Sequence, residues 1–216
     1  MYYILPTARC LGVEFWGNQF ELANLYDQLN KFFIVRDDLK HKNGGGIEKI
    51  LSSFLYEIRH AYQHDRLIKE DKFGCKISWV HLFFSIGAIK YNMSIVDHNK
   101  QDKALILNLE YWTEKCLDSH GLKIANLLKP YVDDAIFMGN ENIYQYMRMI
   151  NFEFFSLKGG KRGLKKLHEL MATAVYGTVE YEAYKNQLIV DAELNNCKTY
   201  ELEINDDNLE IYNQKW

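Results

Sequence analysis

The stretch IEKILSSFLYEIRHAYQHDR, residues 47–66, carries the clearest structural pattern in this sequence. Its apolar positions recur every three or four residues, at Ile47, Ile50, Leu51, Phe54, Leu55, Ile58, Ala61 and Tyr62. This spacing places them on one face of an α-helix, so we predict an amphipathic helix that begins near residue 47. The end of the stretch, YEIRHAYQHDR (56–66), holds the densest set of chemically capable side chains, with two histidines, two arginines and two carboxylates.

Upstream of this helix, the sequence predicts two short strands and a second helix. YYIL (2–5) and LGVEFW (11–16) have the composition of short strands. Asn18 is followed three residues later by Glu21, which is a capping-box pattern. We therefore predict a helix from 19 to about 33.

The region after residue 66 is predicted to complete a small sheet. IKYNMSIV (89–96) alternates apolar and polar residues, as a strand with one solvated face does. ISWVHLFF (77–84) is apolar throughout and is compatible with a partner strand or with a buried helix. The charged and then glycine-rich run RDDLKHKNGGG (36–46) is predicted to be a loop.

The second half of the chain is predicted to be helical. Helical spacing covers 101–118, 122–137, 141–157, 162–176 and 179–194. The final residues alternate and are acidic, which favours a hairpin or appendage over 196–216 after a single compact domain at 1–195. The predicted fold class is α+β and mostly helical: a helix bundle with a small antiparallel sheet from short strands near 2–16 and 77–96.

The composition limits the protein's class and compartment. Hydrophobic residues make up 48% of the chain and the formal net charge is −3, which predicts a packed core and argues against bulk electrostatic coating of nucleic acid. The four cysteines are widely spaced, so we expect reduced thiols in a cytoplasmic protein. The amino-terminal residues lack a signal-peptide pattern, and no segment is apolar enough for a membrane span.

One interpretation of residues 56–66 is a metal site. His60 and His64 are four residues apart and would share a helical face, as zinc ligands do. The zinc-protease pattern needs Glu after the first His, and Ala61 stands there. Glu57 and His60 have the spacing of a di-iron site, which requires a second such pair that the chain lacks. We therefore expect no metal or other cofactor.

A second interpretation is acid–base chemistry on RNA. The sequence RHAYQH (59–64) resembles the motif of HEPN domains, helical proteins that include metal-independent endoribonucleases, often with two copies meeting across a dimer interface. The resemblance implies that His64 is the acid–base group, that Arg59 holds the scissile phosphate and that His60 is their polar partner. Positions five apart on an ideal helix differ by about 140° in direction. The helix must therefore end or loosen before His64, or a second chain must complete the site.

The third interpretation of residues 56–66 is the solvated, charged end of a helix with no further role. Positive groups near a helix carboxyl terminus favour the dipole and can bond the last carbonyls, and Asp65 and Arg66 can pair with neighbours.

Three segments in the first half of the chain resemble a bacterial family known only as a domain of unknown function. They are LPTARCLGVEFWGNQFELANLYDQL (5–29), LYEIRHAYQHDR (55–66) and IKYNMSIVDHN (89–99). This resemblance implies no particular activity.

A basic run, KGGKRGLKKLH (158–168), is the other candidate contact surface. Its cations, Lys158, Lys161, Arg162, Lys165 and Lys166, are suited to contacting an RNA backbone. The alternative is a solvated helix start. Basic residues at a helix amino terminus oppose the helix dipole, so a nearby anionic group would stabilise them.

Taken together, these patterns favour a non-catalytic interaction module that associates with itself or with another protein. The alternative is a HEPN-like endoribonuclease that acts on RNA through Arg59 and His64. The sequence leaves open whether the protein is an enzyme.

Overall fold

The computed structural model describes residues 2–33, 45–157, 159–203 and 216. Most of the loop predicted at 36–46 lies outside these residues, and so does Lys158. The terminal hairpin predicted within 196–216 is likewise outside them, apart from residues 196–203 and 216.

The described residues form a small sheet and a set of helices. The strands are β1 (Tyr3–Pro6), β2 (Gly12–Gly17), β3 (Leu67–Lys69) and β4 (Lys72–Ser78). The helices are α1 (Gln19–Asn30), α2 (Gly46–Tyr62), α3 (Trp79–Met93), α4 (Lys100–Asp118), α5 (Leu122–Leu128), α6 (Pro130–Asp133), α7 (Ile143–Ser156), α8 (Gly160–Met171) and α9 (Val179–Asn195), with 3-10 turns at Ala172–Ala174 and Thr199–Glu201. The predicted fold class, α+β and mostly helical, is confirmed.

The sheet is antiparallel, with strand order β1-β2-β4-β3. Gly12 lies opposite Ser78 where β2 and β4 pair. A Cβ at Gly12 would collide with the backbone carbonyl of Ile77, so the close strand approach there requires glycine. The sheet packs on α2 through Phe15 and Phe54, whose rings meet edge to face with centroids 5.8 Å apart.

The two helices predicted near the amino terminus are confirmed. The Asn18 side chain accepts a hydrogen bond from the Glu21 backbone N–H at 2.8 Å, and the Glu21 carboxylate accepts from the Asn18 N–H at 2.9 Å. This capping box fixes the start of α1. In α2 the predicted apolar face is buried, from Ile47 to Ala61.

The prediction that 77–96 forms part of the sheet is wrong beyond Ser78, because α3 begins at Trp79. Most residues of α3 are buried, so apolar residues lie around the whole helix and its period is not visible in the sequence. Asn92, which suggested a solvated strand face, is buried and donates a hydrogen bond to the Phe32 carbonyl at 2.8 Å.

The other two strands of the sheet, β3 and β4, form a hairpin that the sequence analysis did not predict. Its turn includes Glu70 at φ 55°, a left-handed conformation that usually favours glycine or asparagine. Because charged residues occupy this turn, the sequence lacked the usual hairpin signal.

The later helices lie close to their predicted positions. The segment predicted as one helix over 122–137 is divided into α5 and α6, and Pro130 begins the second of these. Proline has no N–H to continue the hydrogen bonds of α5, so the division follows from its chemistry.

No helix in the described part of the chain has the length and apolar character needed to span a bilayer.

Candidate functional site

A cleft of about 1110 Å³ opens between α2, β4, the start of α3 and α7. It is large enough for a small-molecule ligand, although part of its volume is open to solvent. Its polar and aromatic lining consists of Phe33, Glu48, Lys49, Ser52, Ser53, Tyr56, Glu57, Arg66, Lys76, Ser78, His81, Tyr144, Arg148, Asn151, Phe155 and Trp216. We call this feature the cleft.

One wall of the cleft is fixed by an ion pair between Glu57 and Arg66. Arg66 Nε and Nη2 donate to the two Glu57 carboxylate oxygens at 2.8 and 3.2 Å. Only 12% of the Glu57 side chain and 27% of the Arg66 side chain are exposed. The hydrogen bonds to Glu57 raise the pKa of the Arg66 guanidinium above its ordinary value. The pair therefore neutralises the Glu57 charge and joins the end of α2 to the start of β3.

The amino terminus of α3 forms the inner end of the cleft. The Ser78 hydroxyl accepts the His81 backbone N–H at 3.0 Å and donates to the Asn151 side-chain carbonyl at 2.7 Å. Ser78 is therefore both the cap of α3 and a tie to α7. The positive end of the α3 dipole points into this region, which favours negative charge there.

A second polar contact in the cleft joins Ser53 and His81. Ser53 Oγ lies 2.9 Å from His81 Nε2 and donates to the Ile50 carbonyl at 2.9 Å, while Nε2 lies 3.3 Å from the same carbonyl. Because a carbonyl only accepts, this arrangement fits a proton on Nε2. Burial lowers the pKa of His81, which favours the neutral ring. The serine proton thus points to the backbone and not to the imidazole, unlike in an activated serine nucleophile.

Cations and aromatic rings meet at the rim of the cleft. Lys49 Nζ is 5.3 Å from the centroid of the Tyr144 ring, and Lys76 Nζ is 6.0 Å from the Trp216 ring. Neither lysine forms a salt bridge with a described residue. Within the described part of the chain, both ammonium groups are therefore left to pair with an anionic ligand.

Arg59 and His60 lie on α2 beside Tyr56. The Arg59 guanidinium is 5.4 Å from the Tyr56 ring centroid, and Arg59 borders a smaller pocket of about 130 Å³. The His60 ring centroid is 4.2 Å from that of Tyr56, and its Nδ1 is 3.0 Å from Asp65 Oδ2. Neither residue lines the cleft itself.

His64 lies beyond the end of α2, as the motif geometry requires. Its φ is 70°, the Asp65 N–H donates to the His60 carbonyl at 2.9 Å, and the His64 N–H donates to the Ala61 carbonyl at 3.1 Å. This is a Schellman ending with His64 in its left-handed position.

The ring of His64 is directed toward the sheet. It stacks on Phe73 of β4 with centroids 3.7 Å apart and planes 11° apart. Among the described contacts, no hydrogen bond or ring contact joins Arg59 to His64. The two side chains therefore do not contact each other directly within the described chain.

The basic run lies on α8, away from the cleft. Lys161, Arg162, Lys165 and Lys166 are exposed, and none of them lines the cleft. They form no salt bridge with a described residue. Lys158, the fifth member of the predicted RNA contact, is outside the described residues.

Sequence reasoning located one wall of the cleft and missed the others. The stretch 56–66 supplies Tyr56, Glu57 and Arg66 to the lining, although not the three residues that we selected from it. Ser78 and Asn151 are 73 positions apart, so no local pattern could have paired them. A Ser immediately before a helix was the available signal for Ser78, and it was lost when residues 77–84 were considered for a strand.

The fold and the site together define a mostly helical α+β protein with a cationic cleft lined by aromatic residues. The chain belongs to the family described as a domain of unknown function, DUF6904, whose family model matches residues 3–216. The resemblance to an uncharacterised domain is therefore confirmed, and the match extends over the second half as well. No curated protein and no solved structure matches the chain.

Proposed function

We propose that this protein is a non-catalytic binding module that holds a small anionic molecule with an aromatic or apolar part in the cleft. The observation that carries the proposal is the pair of lysines, Lys49 and Lys76, that line the cleft without an acidic partner among the described residues. An anionic ligand would satisfy both ammonium groups.

The charge of the cleft supports an anionic ligand. Its described lining includes four lysine or arginine side chains and two glutamates. Glu57 and Arg66 neutralise each other, which leaves three cations and one glutamate in the described lining. The amino terminus of α3 adds a partial positive charge close to Ser78.

The lining also favours a ligand with a flat or apolar part. Ile77, Met147 and Phe155 contribute buried apolar side chains, while the Tyr144 and Trp216 rings stand at the rim beside the two lysines. A planar group could pack on these rings while its acidic group reaches the ammonium groups.

The proposal is tested with 8-anilinonaphthalene-1-sulfonate, an aromatic sulfonate whose fluorescence rises on binding. The Lys49→Gln and Lys76→Gln variants are each expected to weaken its binding about 5- to 10-fold, because each removes one charge-assisted contact. Lys103→Gln on the exposed surface of α4 is the matched control and should bind as the wild type does.

A neutral dye, Nile red, separates charge recognition from apolar adsorption. Its binding should be the same in wild type and in both cleft variants. If Lys49→Gln and Lys76→Gln combined leave sulfonate binding unchanged, the cleft does not recognise anions and the proposal fails.

RNA cleavage remains a separate proposal that rests on Arg59, His60, His64 and the basic run. The supporting observation is that α2 ends before His64, which is an exposed residue. Cleavage in EDTA that is lost in both His64→Ala and Arg59→Ala would support it. Equal RNA decay in wild type and both folded variants would refute it.

We also propose that the protein functions in the cytoplasm. The bacterial origin implied by the sequence resemblance remains a prediction. All four cysteines are free thiols, which fits a reducing compartment. Fractionation of cells that produce the chain would test this location.

A further inference from the structure

The helix α9 has two apolar faces. Tyr181, Leu188 and Ala192 are buried against the rest of the protein. On the opposite side, Val179, Val190 and Leu194 are 82%, 49% and 79% exposed, although all three are large aliphatic side chains. At 100° per residue, they and Ala183 project within about 60° of one another, so they form an exposed stripe along one side of the helix.

The spacing of the residues in the stripe is the same when it is read from either end of the helix. Its members are separated by four, seven and four residues: Val179, Ala183, Val190 and Leu194. In an antiparallel pair of helices related by a two-fold axis, Val179 lies opposite Leu194 of the second copy, and Ala183 lies opposite Val190. We infer that α9 is the interface of a homodimer, with a second copy of this chain as the occupant of its exposed face.

The middle of the stripe fits the same register. Asn186 and Gln187 occupy the centre and would meet Gln187 and Asn186 of the second copy. Gln187 donates to Asp191 at 2.8 Å, so its carbonyl oxygen can accept a hydrogen bond from the Asn186 amide of the second copy. A polar residue within an apolar helix seam fixes register at some cost in stability.

The dimensions of the face indicate a weak dimer. A helix of 17 residues is about 25 Å long, and its face is roughly 10 Å wide. Such a face is much smaller than the roughly 800 Å² per partner of a standard stable interface. We therefore expect weak association that increases with protein concentration.

The charges beside the stripe predict how salt acts on the dimer. Glu182 and Glu193 lie on the same side of the stripe, and the two-fold axis brings Glu182 close to Glu193 of the second copy. These like charges repel, and salt screens the repulsion. Association should therefore strengthen as salt concentration rises.

Sedimentation velocity from 1 to 200 µM protein tests the inference, at 50 and 500 mM sodium chloride. Wild type is expected to dimerise, more tightly at the higher salt. Val190→Glu should remain monomeric throughout, because it places a charge in the apolar part of the seam, opposite Ala183 of the second copy. Leu107→Glu is the matched control, since Leu107 is 64% exposed on α4, and it should dimerise as the wild type does.

Thermal unfolding by circular dichroism establishes that both variants are folded. A wild type that stays monomeric at 200 µM would overturn the inference. So would a Val190→Glu variant that dimerises normally, or a loss of dimer in both variants. Sulfonate binding should be unchanged in Val190→Glu, so this test is independent of the cleft proposal.

Discussion

Glu57 and Arg66 form a two-point ion pair that joins α2 to the residue just before β3. Replacing Arg66 with Gln leaves a carboxylate that is only 12% exposed without its cation. We expect this change to lower the free energy of unfolding by about 2–3 kcal/mol, and Glu57→Gln by about 1–2 kcal/mol. Urea unfolding measures both values.

The double variant distinguishes a specific pair from two independent effects. Because neither partner is left charged, Glu57→Gln with Arg66→Gln should cost less than the sum of the single changes. Lys129→Gln is the control: Lys129 pairs with Asp118 at the surface, where water screens the interaction, so its effect should be smaller. Simple additivity of the Glu57 and Arg66 changes would contradict the assignment.

The capping box of α1 should have a measurable effect on stability. Asn18→Ala removes the acceptor for the Glu21 backbone N–H and should lower the free energy of unfolding by about 1 kcal/mol. Asn24→Ala, within the exposed surface of the same helix, should have no such cost because alanine favours helix. Equal destabilisation by the two changes would show that the cap does not fix this helix.

Stability should decrease as the pH falls below about 6.5, because of two histidines. Burial lowers the pKa of His81 and of His120 below the ordinary value of 6.5. Between its folded and unfolded pKa values, each histidine binds a proton in the unfolded chain and not in the folded one. The free energy of unfolding therefore falls with decreasing pH, by at most about 1.4 kcal/mol per pH unit for each histidine.

The variants His81→Gln and His120→Gln should each flatten this dependence between pH 6.5 and 5, whatever their effect at pH 7. Carboxylates such as Asp102 act at lower pH: its backbone hydrogen bond with Asn99 lowers its pKa from 3.8, so its contribution is lost only below that value. Urea titrations at several pH values measure the slope. An unchanged slope in both variants would rule out this origin.

The left-handed conformation of His64 predicts an unusual order of substitutions. His64→Gly should change the free energy of unfolding by less than about 0.5 kcal/mol, because glycine relieves the backbone cost while the Phe73 contact is lost. His64→Val should cost more than about 1 kcal/mol, because a β-branched residue disfavours this conformation. Gln63→Val, at φ −81°, is the control and should have a smaller effect.

The local patterns predicted the elements whose signals lie within a few residues. Asn18 and Glu21 marked the start of α1, and the apolar stripe from Ile47 defined α2, because a surface helix must separate buried from solvated positions. The same reasoning failed for α3, because most of its residues are buried and its apolar residues lie all around the helix, which hides its period.

The sequence by itself determined the mostly helical class, the caps and the helices with one solvated face, since these depend on residues three or four positions apart. Only the tertiary structure decided which polar and aromatic side chains lie close together. It joined Ser78 to Asn151 and brought the α2 residue Lys49 close to the Tyr144 ring on α7. It also placed Arg59 and His64 in separate surroundings, because the left-handed turn after α2 directs the His64 ring onto Phe73. A site depends on distances in space, and these are set by packing between elements that are remote in the chain.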